Sequence, residues 1–407
     1  MKEPWHTDKW FTSPWNFVPE VVKENCFARK VQLHDITLRD GEQQAGLVLR
    51  AEDKVAIAEK LAEAGVDRIE AGMPAVSRDD EKAIREIVKR KLGPKIFAFA
   101  RCMVEDVKRA KDCGVDGIVI EIPSSEHIIR NAYGWPPEKA VDLSIKATQA
   151  AKEAGLFTAF FTIDASRADL DWLLSLIGRV ADEGHMDAVT LVDTMGACSP
   201  AAIRYFVRRV RQRFPEAQLE AHFHDDFGLA TANTLEALAL GVQVAHVSVC
   251  GIGERAGGAA LEDVVVALKT LYGVETAVKT EKLYELCQVV LDRTGHPIPP
   301  NKSVAGRALF DVESGIPATW LRRCGEKLLT EVFPLHPDLI GQSQPRIVLG
   351  KGCGDESVRQ WLEDMGAQAT PEQVSRLTAL VKDFSLAKKD LLTRREFATL
   401  VRWVLED

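Results

Sequence analysis

Short β-prone runs alternate with longer helix-spaced segments eight times along the first two thirds of this chain, and that beat sets what it can fold into. The runs cover residues 31–38, 66–70, 95–99, 117–121, 157–161, 187–192, 218–222 and 245–249. Between them apolar residues fall at helical spacing, as in Val55, Ala58, Leu61 and Ala62, or Ala140, Leu143, Ala147 and Ala151. Gly65, Gly114, Gly155, Gly184 and Gly241 stand where a helix must stop before the next strand. Ser77, and Ser199 followed by Pro200, mark helix starts. The pattern predicts an α/β protein, a closed parallel (β/α)8 TIM barrel over residues 31–275, with an open doubly wound sheet as the alternative. A barrel carries its chemistry at the C-terminal ends of its strands.

The first 30 residues, with Trp5, Trp10 and Trp15, read as an N-terminal arm packed on apolar surface. Residues 276–350 read as a linker or subdomain whose 295–345 stretch is rich in proline and glycine. Residues 351–407 read as a small, mostly helical C-terminal subdomain, with helices over 357–365, 371–384 and 393–405. Additions of this kind to a self-contained barrel suit a partner subunit, so a homodimer is expected. The net charge of -8 argues against a broad nucleic-acid surface. No apolar run reaches the roughly 18–20 residues of a membrane-spanning helix, and no leader pattern opens the chain. A cytoplasmic protein with neither membrane nor nucleic-acid partner is therefore expected. Eight cysteines, scattered without a two-residue spacing, read as reduced thiols.

Strand one runs into Leu38-Arg39-Asp40-Gly41-Glu42-Gln43, which crowds an arginine, two carboxylates and an amide at its exit. Strand seven holds Glu220-Ala221-His222-Phe223-His224, where alternation sends Glu220, His222 and His224 to one side. Taken alone, these are an ordinary polar loop and a pair of packed histidines. Their coincidence at one barrel end, on strands separated only by strand eight, points to one divalent cation held by Asp40, His222 and His224. Two imidazoles and a carboxylate suit Zn, Mn, Co or Mg; a non-haem iron oxygenase uses the same trio and is the alternative. His34 and His127 read as structural, His185 and His246 as loop or packing residues, and Cys102 and Cys250 as buried small side chains. The basic run 204–213 reads as the solvated face of the sixth helix.

Three stretches carry a resemblance: residues 37–43 (Thr-Leu-Arg-Asp-Gly-Glu-Gln), His222-Phe223-His224, and residues 251–257 (Gly-Ile-Gly-Glu-Arg-Ala-Gly) after strand eight. In this order they resemble the homocitrate, isopropylmalate and citramalate synthases, whose superfamily includes the hydroxymethylglutaryl-CoA lyases. The resemblance covers roughly residues 30–275, with a weaker echo at Ile298-Pro299-Pro300-Asn301-Lys302 and at residues 347–351. It implies a metal-dependent acyltransferase that joins an acyl-CoA, with acetyl-CoA as co-substrate, to a 2-oxo acid. By similarity Asp40, His222 and His224 are the metal ligands, and Arg39 and Glu42 are catalytic, Arg39 facing the oxygen that gains charge. Gln43, Glu70, Arg101, Arg167 and Thr194, with Arg39, line the substrate pocket.

Several positions depart from the family pattern. Asp225, Cys250 and Gly258 stand where asparagines are usual, Ile163 where strand five usually delivers a glutamate, and Gly352 where a histidine is common. Pro317 occupies the place of a histidine thought to help deprotonate the acyl-CoA. Three functions stay open at this level: a synthase with a relocated base, a lyase or aldolase of the hydroxymethylglutaryl-CoA type, and a metal-binding paralogue with weak chemistry. No room remains for a regulatory domain of the kind that follows some isopropylmalate synthases.

Overall fold

The computed structural model describes residues 3–406; residues 1, 2 and 407, the outer ends of the expected arm and helical subdomain, lie outside the described residues. Eight parallel strands close on themselves: β1 (Gln32–Asp35), β2 (Arg68–Glu70), β3 (Lys95–Arg101), β4 (Gly117–Pro123), β5 (Phe157–Ile163), β6 (Ala188–Asp193), β7 (Gln218–Phe223) and β8 (Val244–Val247). Closure is visible in β1, where His34 registers with Arg68 of β2 on one side and with His246 of β8 on the other. Eight helices follow the strands: α1 (Ala51–Ala64), α2 (Arg78–Arg90), α3 (Val104–Cys113), α4 (Pro137–Glu153), α5 (Leu170–Glu183), α6 (Pro200–Arg213), α7 (Ala230–Ala239) and α8 (Leu261–Leu271). The barrel expected from the repeat is the observed fold, and the open sheet is not.

The local signals act as their chemistry requires. Ser77 accepts a bond from the Asp80 amide at 3.0 Å and starts α2, and Ser199 caps α6 just ahead of Pro200. In α1 the buried stripe is Val55, Ile57, Ala58 and Leu61, and Gly65 ends the helix in the left-handed region. In α6 Ile203, Phe206, Val207 and Val210 face inward, leaving Arg204, Arg208 and Arg209 on the solvent side.

The barrel lumen has two unlike halves. Phe97, Phe99, Val119, Ala159, Phe161, Ala188 and Val192 fill one with apolar side chains. The other is lined by His34, Arg68, Glu70, Glu220 and His246, each nearly or fully buried.

Two compact units divide the chain, Pro14–Ile298 with the barrel, and Met1–Ser13 together with Pro299–Asp407. After α8 the first unit adds α9 (Leu283–Thr294). In the second, Phe11 donates its amide to Pro334 O at 3.0 Å and Trp10 its indole N–H to Pro4 O at 2.9 Å. Trp15, expected to pack on apolar surface, is 76% exposed. The tail helices are α10 (Gly315–Cys324), α11 (Asp355–Asp364), α12 (Pro371–Lys388) and α13 (Arg394–Leu405). Thr370 with Gln373 and Thr393 with Glu396 form capping boxes that start α12 and α13. The helix α10 lies within the stretch read from sequence as having little periodicity. Its buried face is only Ala318, while Ile316 and Trp320 are exposed, so no apolar stripe announces it.

No helix among the described residues is long and apolar enough to cross a membrane. All eight cysteines are free of disulfides. The core of the tail is Val358, Trp361, Leu377, Val381, Phe397 and Leu400, with the Trp361 and Phe397 rings edge to face at 5.4 Å. Phe397→Ala is expected to cost about 3–5 kcal/mol through lost burial and a residual cavity, read as a lowered urea midpoint by far-ultraviolet circular dichroism.

Candidate metal centre

Just beyond β1 the chain turns sharply, and the amides of Arg39, Asp40 and Gly41 all point at Ile36 O, at 3.1, 2.9 and 3.2 Å. Thr37 ties this turn to the exit of β8 by accepting the Val249 amide at 2.9 Å. Asp40 is thereby delivered to the barrel mouth beside His222, on β7, and His224, one residue past its end. The donor atoms of Asp40, His222 and His224 lie within 4.8 Å of one another, all buried. His222 Nε2 and His224 Nε2 are 3.3 Å apart, and Asp40 Oδ1 is 3.8 Å from His224 Nε2.

The protonation of this trio follows from its neighbours. His224 Nδ1 is 3.0 Å from Gly257 O, and a carbonyl can only accept, so Nδ1 carries the proton and Nε2 offers its lone pair inward. Burial, and then the adjacent His224 ring, hold His222 well below the usual imidazole range, so its ring is neutral near pH 7. Asp40 Oδ2 is buried without a hydrogen-bond partner. A buried carboxylate oxygen with nothing to accept from, facing two imidazole lone pairs, is a donor set that a divalent cation satisfies. The loop after β8 is shaped for this approach. A Cβ on Gly257, at φ 82°, would stand 1.9 Å from Gly251 O, and one on Gly253 would stand 2.5 Å from Asp40 Oδ2. Gly258 bridges to His224 through main chain and has no side chain to add a ligand. Cys250 faces Glu262 and Cys287 instead, in a separate buried cluster.

Arg39 completes the site. Its Nε donates to Glu70 Oε1, and its Nη1 donates to Gln43 Oε1 at 2.7 Å and Asp40 Oδ1 at 3.3 Å. Its guanidinium lies over the Phe99 ring at 3.9 Å, and Phe161 is 5.9 Å away. Burial opposes the arginine charge, but Glu70 and then Asp40 more than offset it. Nη2 is buried and unpartnered, the one arm of the fork left for an oxygen from outside. A cavity of about 440 Å³ opens here, lined by Arg39, Gln43, Phe99 and Glu121 among others.

Beneath Arg39 the polar half of the lumen continues the pairing. Glu70 Oε2 is 3.2 Å from His34 Nε2, and His34 stacks on His246 at 4.4 Å. His246 Nε2 is 2.9 Å from Glu220 Oε2, and Arg68 donates to Glu220 Oε1 at 2.7 Å. Burial alone would raise Glu70, yet Arg39 and the nearby His34 bring it down to about 2; Glu220 is likewise brought to about 2 by His246 and Arg68. Burial lowers His34 to about 4, leaving it neutral near pH 7.

The structure thus gathers Asp40, His222, His224, Arg39, Gln43 and Glu70. Other residues expected at the site hold different partners. Glu42 accepts the Leu49 amide at 2.8 Å and pairs with buried Lys54 at 2.6 Å. Arg101 forms a two-pronged pair with Asp106 at 2.8 and 3.0 Å. Arg167 donates to Asp164 at 2.6 Å, and Thr194 Oγ1 accepts the Asp164 amide at 2.8 Å. Missed from sequence were the Gly257 carbonyl, the Phe99 ring, Glu121 and the lumen role of His34 and His246. Strand alternation marks the side chains among these, since His34, Phe99, Glu121 and His246 each sit at an inward-facing position of a strand.

Comparison with known proteins agrees with this arrangement. A family profile described as HMGL-like matches residues 30–290. The chain is 37% identical over 390 residues to a homocitrate synthase of Methanopyrus kandleri, covering 96% of each chain. It is 37% identical over 355 residues to an (R)-citramalate synthase of Methanocaldococcus jannaschii, covering 87% of this chain and 71% of that one. Among solved structures, the HMG-CoA lyase of Bacillus subtilis aligns with a TM-score of 0.61 and 25% identity, over 67% of this chain and 96% of that chain.

The Arg39–Glu70 pair yields a stability test. Glu70→Gln strands a buried guanidinium and is expected to cost about 3–5 kcal/mol at pH 7, measured by urea unfolding. Because the folded carboxyl sits at about 2 against an ordinary 4.5, its stabilisation is full above pH 4.5 and fades as pH falls toward 2. The gap between parent and variant should therefore narrow in that window.

Proposed function

The chain belongs to the HMGL-like family, and from that premise we propose that it is a metal-dependent synthase condensing an acyl-CoA, acetyl-CoA first, with a 2-oxo acid, water then cleaving the thioester to give a 2-hydroxy di- or tricarboxylic acid and free CoA. The observation that carries this reading is the convergence of Asp40, His222 and His224 beside an arginine with one buried, uncommitted N–H arm. A divalent cation (Zn, Mn, Co or Mg) held by these three side chains would supply Lewis-acid polarisation of the keto carbonyl.

The remaining work falls to the chain itself. Arg39 Nη2 donates to the keto oxygen as it becomes an alkoxide, a preorganised donor worth a few kcal/mol. Glu70 and Gln43 hold the guanidinium plane so that no reorganisation is needed during the reaction, and Phe99 keeps water from one of its faces. Gly257 O sets the His224 tautomer. Glu42, Arg101, Arg167 and Thr194 belong to this proposal as surrounding groups, Arg101 and Arg167 each having a half-exposed guanidinium near the mouth that could turn to a substrate carboxylate. A cytoplasmic homodimer is part of the same reading, supported by exposed apolar side chains at Trp15, Ile316 and Trp320 that a second copy would cover.

The test is release of free CoA thiol from acetyl-CoA with a panel of pyruvate, 2-oxoisovalerate and 2-oxoglutarate. Release should depend on one of these acids, vanish after chelation and return with added cation. Asp40→Asn should lose bound metal and activity together, whereas Arg39→Gln should keep the metal and lose about 10²–10³-fold in kcat. Thiol release indifferent to every 2-oxo acid would overturn the synthase reading, and cleavage of a 3-hydroxy-3-methylacyl-CoA in place of condensation would replace it with the lyase one.

A further inference from the structure

Condensation requires a base that removes a proton from the methyl carbon of the thioester, and the groups named so far are committed elsewhere. Glu70 is locked to Arg39, Glu42 to Lys54 and the Leu49 amide, and Asp40 to the cation site. Asp164 accepts from Ser125 and Arg167 and lies 2.9 Å from His127, and Asp193 accepts from Ser166 and the amides of Ala197 and Cys198. Ile163 and Pro317 carry no titratable group.

One carboxyl at the mouth differs from all of these. Glu121 lies on β4 two residues beyond Val119, whose side chain belongs to the apolar half of the lumen, so alternation turns Glu121 to the barrel axis one layer higher. It lines the 440 Å³ cavity with Arg39, Gln43 and Phe99. Among the described residues its carboxylate accepts no hydrogen bond and forms no ion pair, although it is half-buried and registers beside Arg101 of β3. A half-buried carboxyl without a partner, in the cavity that holds the reactive arginine, is a group kept ready for something that enters.

We propose that Glu121 is the general base, its carboxylate taking the α-proton of the acyl-CoA methyl at the mouth of the barrel. This rests on the synthase reading above. The C–H bond breaks, its electron pair moves onto the thioester carbonyl, and the enolate carbon then bonds to the keto carbon. The keto oxygen leaves that step as an alkoxide facing Arg39 Nη2, while the proton stays on Glu121 until it passes to the alkoxide or to water. The environment suits the task. Burial raises Glu121 to about 7; Arg39 and Arg101 pull it down, Asp106 and Glu70 push it up, and Tyr133 and Cys102 lie within the same field. A base near the working pH is present ionised and is still strong enough to accept a proton.

The experiment uses full-length, metal-loaded protein with acetyl-CoA and whichever 2-oxo acid of the panel turns over. Glu121→Gln should keep metal content and the KM for the 2-oxo acid within about threefold while kcat falls about 10²–10⁴-fold. Deuterium loss from trideuterated acetyl-CoA into water should fall in parallel. Parent kcat/KM should decline tenfold per unit below about pH 7, the residual activity of Glu121→Gln should lack that limb, and Glu121→Asp should restore part of the rate with the limb displaced. Unchanged kcat in Glu121→Gln, a raised KM alone, or loss of metal would overturn the assignment, the last two marking a binding or structural role. A parent that condenses none of the acids fails the synthase reading itself, an outcome distinct from a working parent with an indifferent Glu121.

Discussion

A positive charge buried at the top of a barrel must be answered inside the barrel, and the pairing of Arg39 with Glu70 is that answer. Once Glu70 is committed to being an anion in the interior, it needs support from below, and His34 supplies it. The stacking of His34 on His246, the bond from His246 to Glu220, and the clamp of Arg68 on Glu220 carry the compensation down the lumen. Two guanidiniums face two carboxylates, with the neutral imidazole of His34 between them. The cost of such desolvated ions is large, and it is tolerated because each has a partner of good geometry. The aromatic half of the lumen does the complementary work of shape and dryness, and Arg39 lies at the seam with its flat face on Phe99.

Much of the architecture was legible because it rests on local chemistry. Most of the eight strands fall on short apolar, β-prone runs, and stop signals such as Gly65 work through a single backbone conformation. The trio of Asp40, His222 and His224 was legible because strand alternation and adjacency around a ring are geometric rules that need no coordinates. Other features depend on partners distant in sequence. Whether Glu42 offers its carboxylate to the cavity it lines or to Lys54 is decided by where α1 brings that lysine, 12 positions on from Glu42. Likewise Arg101 looks like a carboxylate clamp at a strand exit until Asp106 is seen beneath it at the start of α3. His246 read as a packing residue because nothing near it in sequence discloses Glu220 across the strand pair.

The departures from the family pattern take on physical sense in the same terms. Gly258 contributes main chain to the loop that closes over His224, so the site keeps three side-chain donors. Cys250 turns away from the mouth toward Glu262 and Cys287, so its exchange for a polar residue elsewhere in the family leaves the cation pocket untouched. Ile163 gives up a carboxyl on β5, and a carboxyl with no hydrogen bond or ion pair among the described residues, Glu121, stands on the neighbouring strand.

The acceptor that orients the His224 ring is a main-chain oxygen held in a loop whose glycine leaves no space for a methyl group. No exchange of one side chain for another can delete such a partner or retune its strength; only a change in the path of the loop can. A substitution at the mouth can therefore change which side chains meet an incoming molecule, while the direction of this imidazole stays set by the course of the main chain.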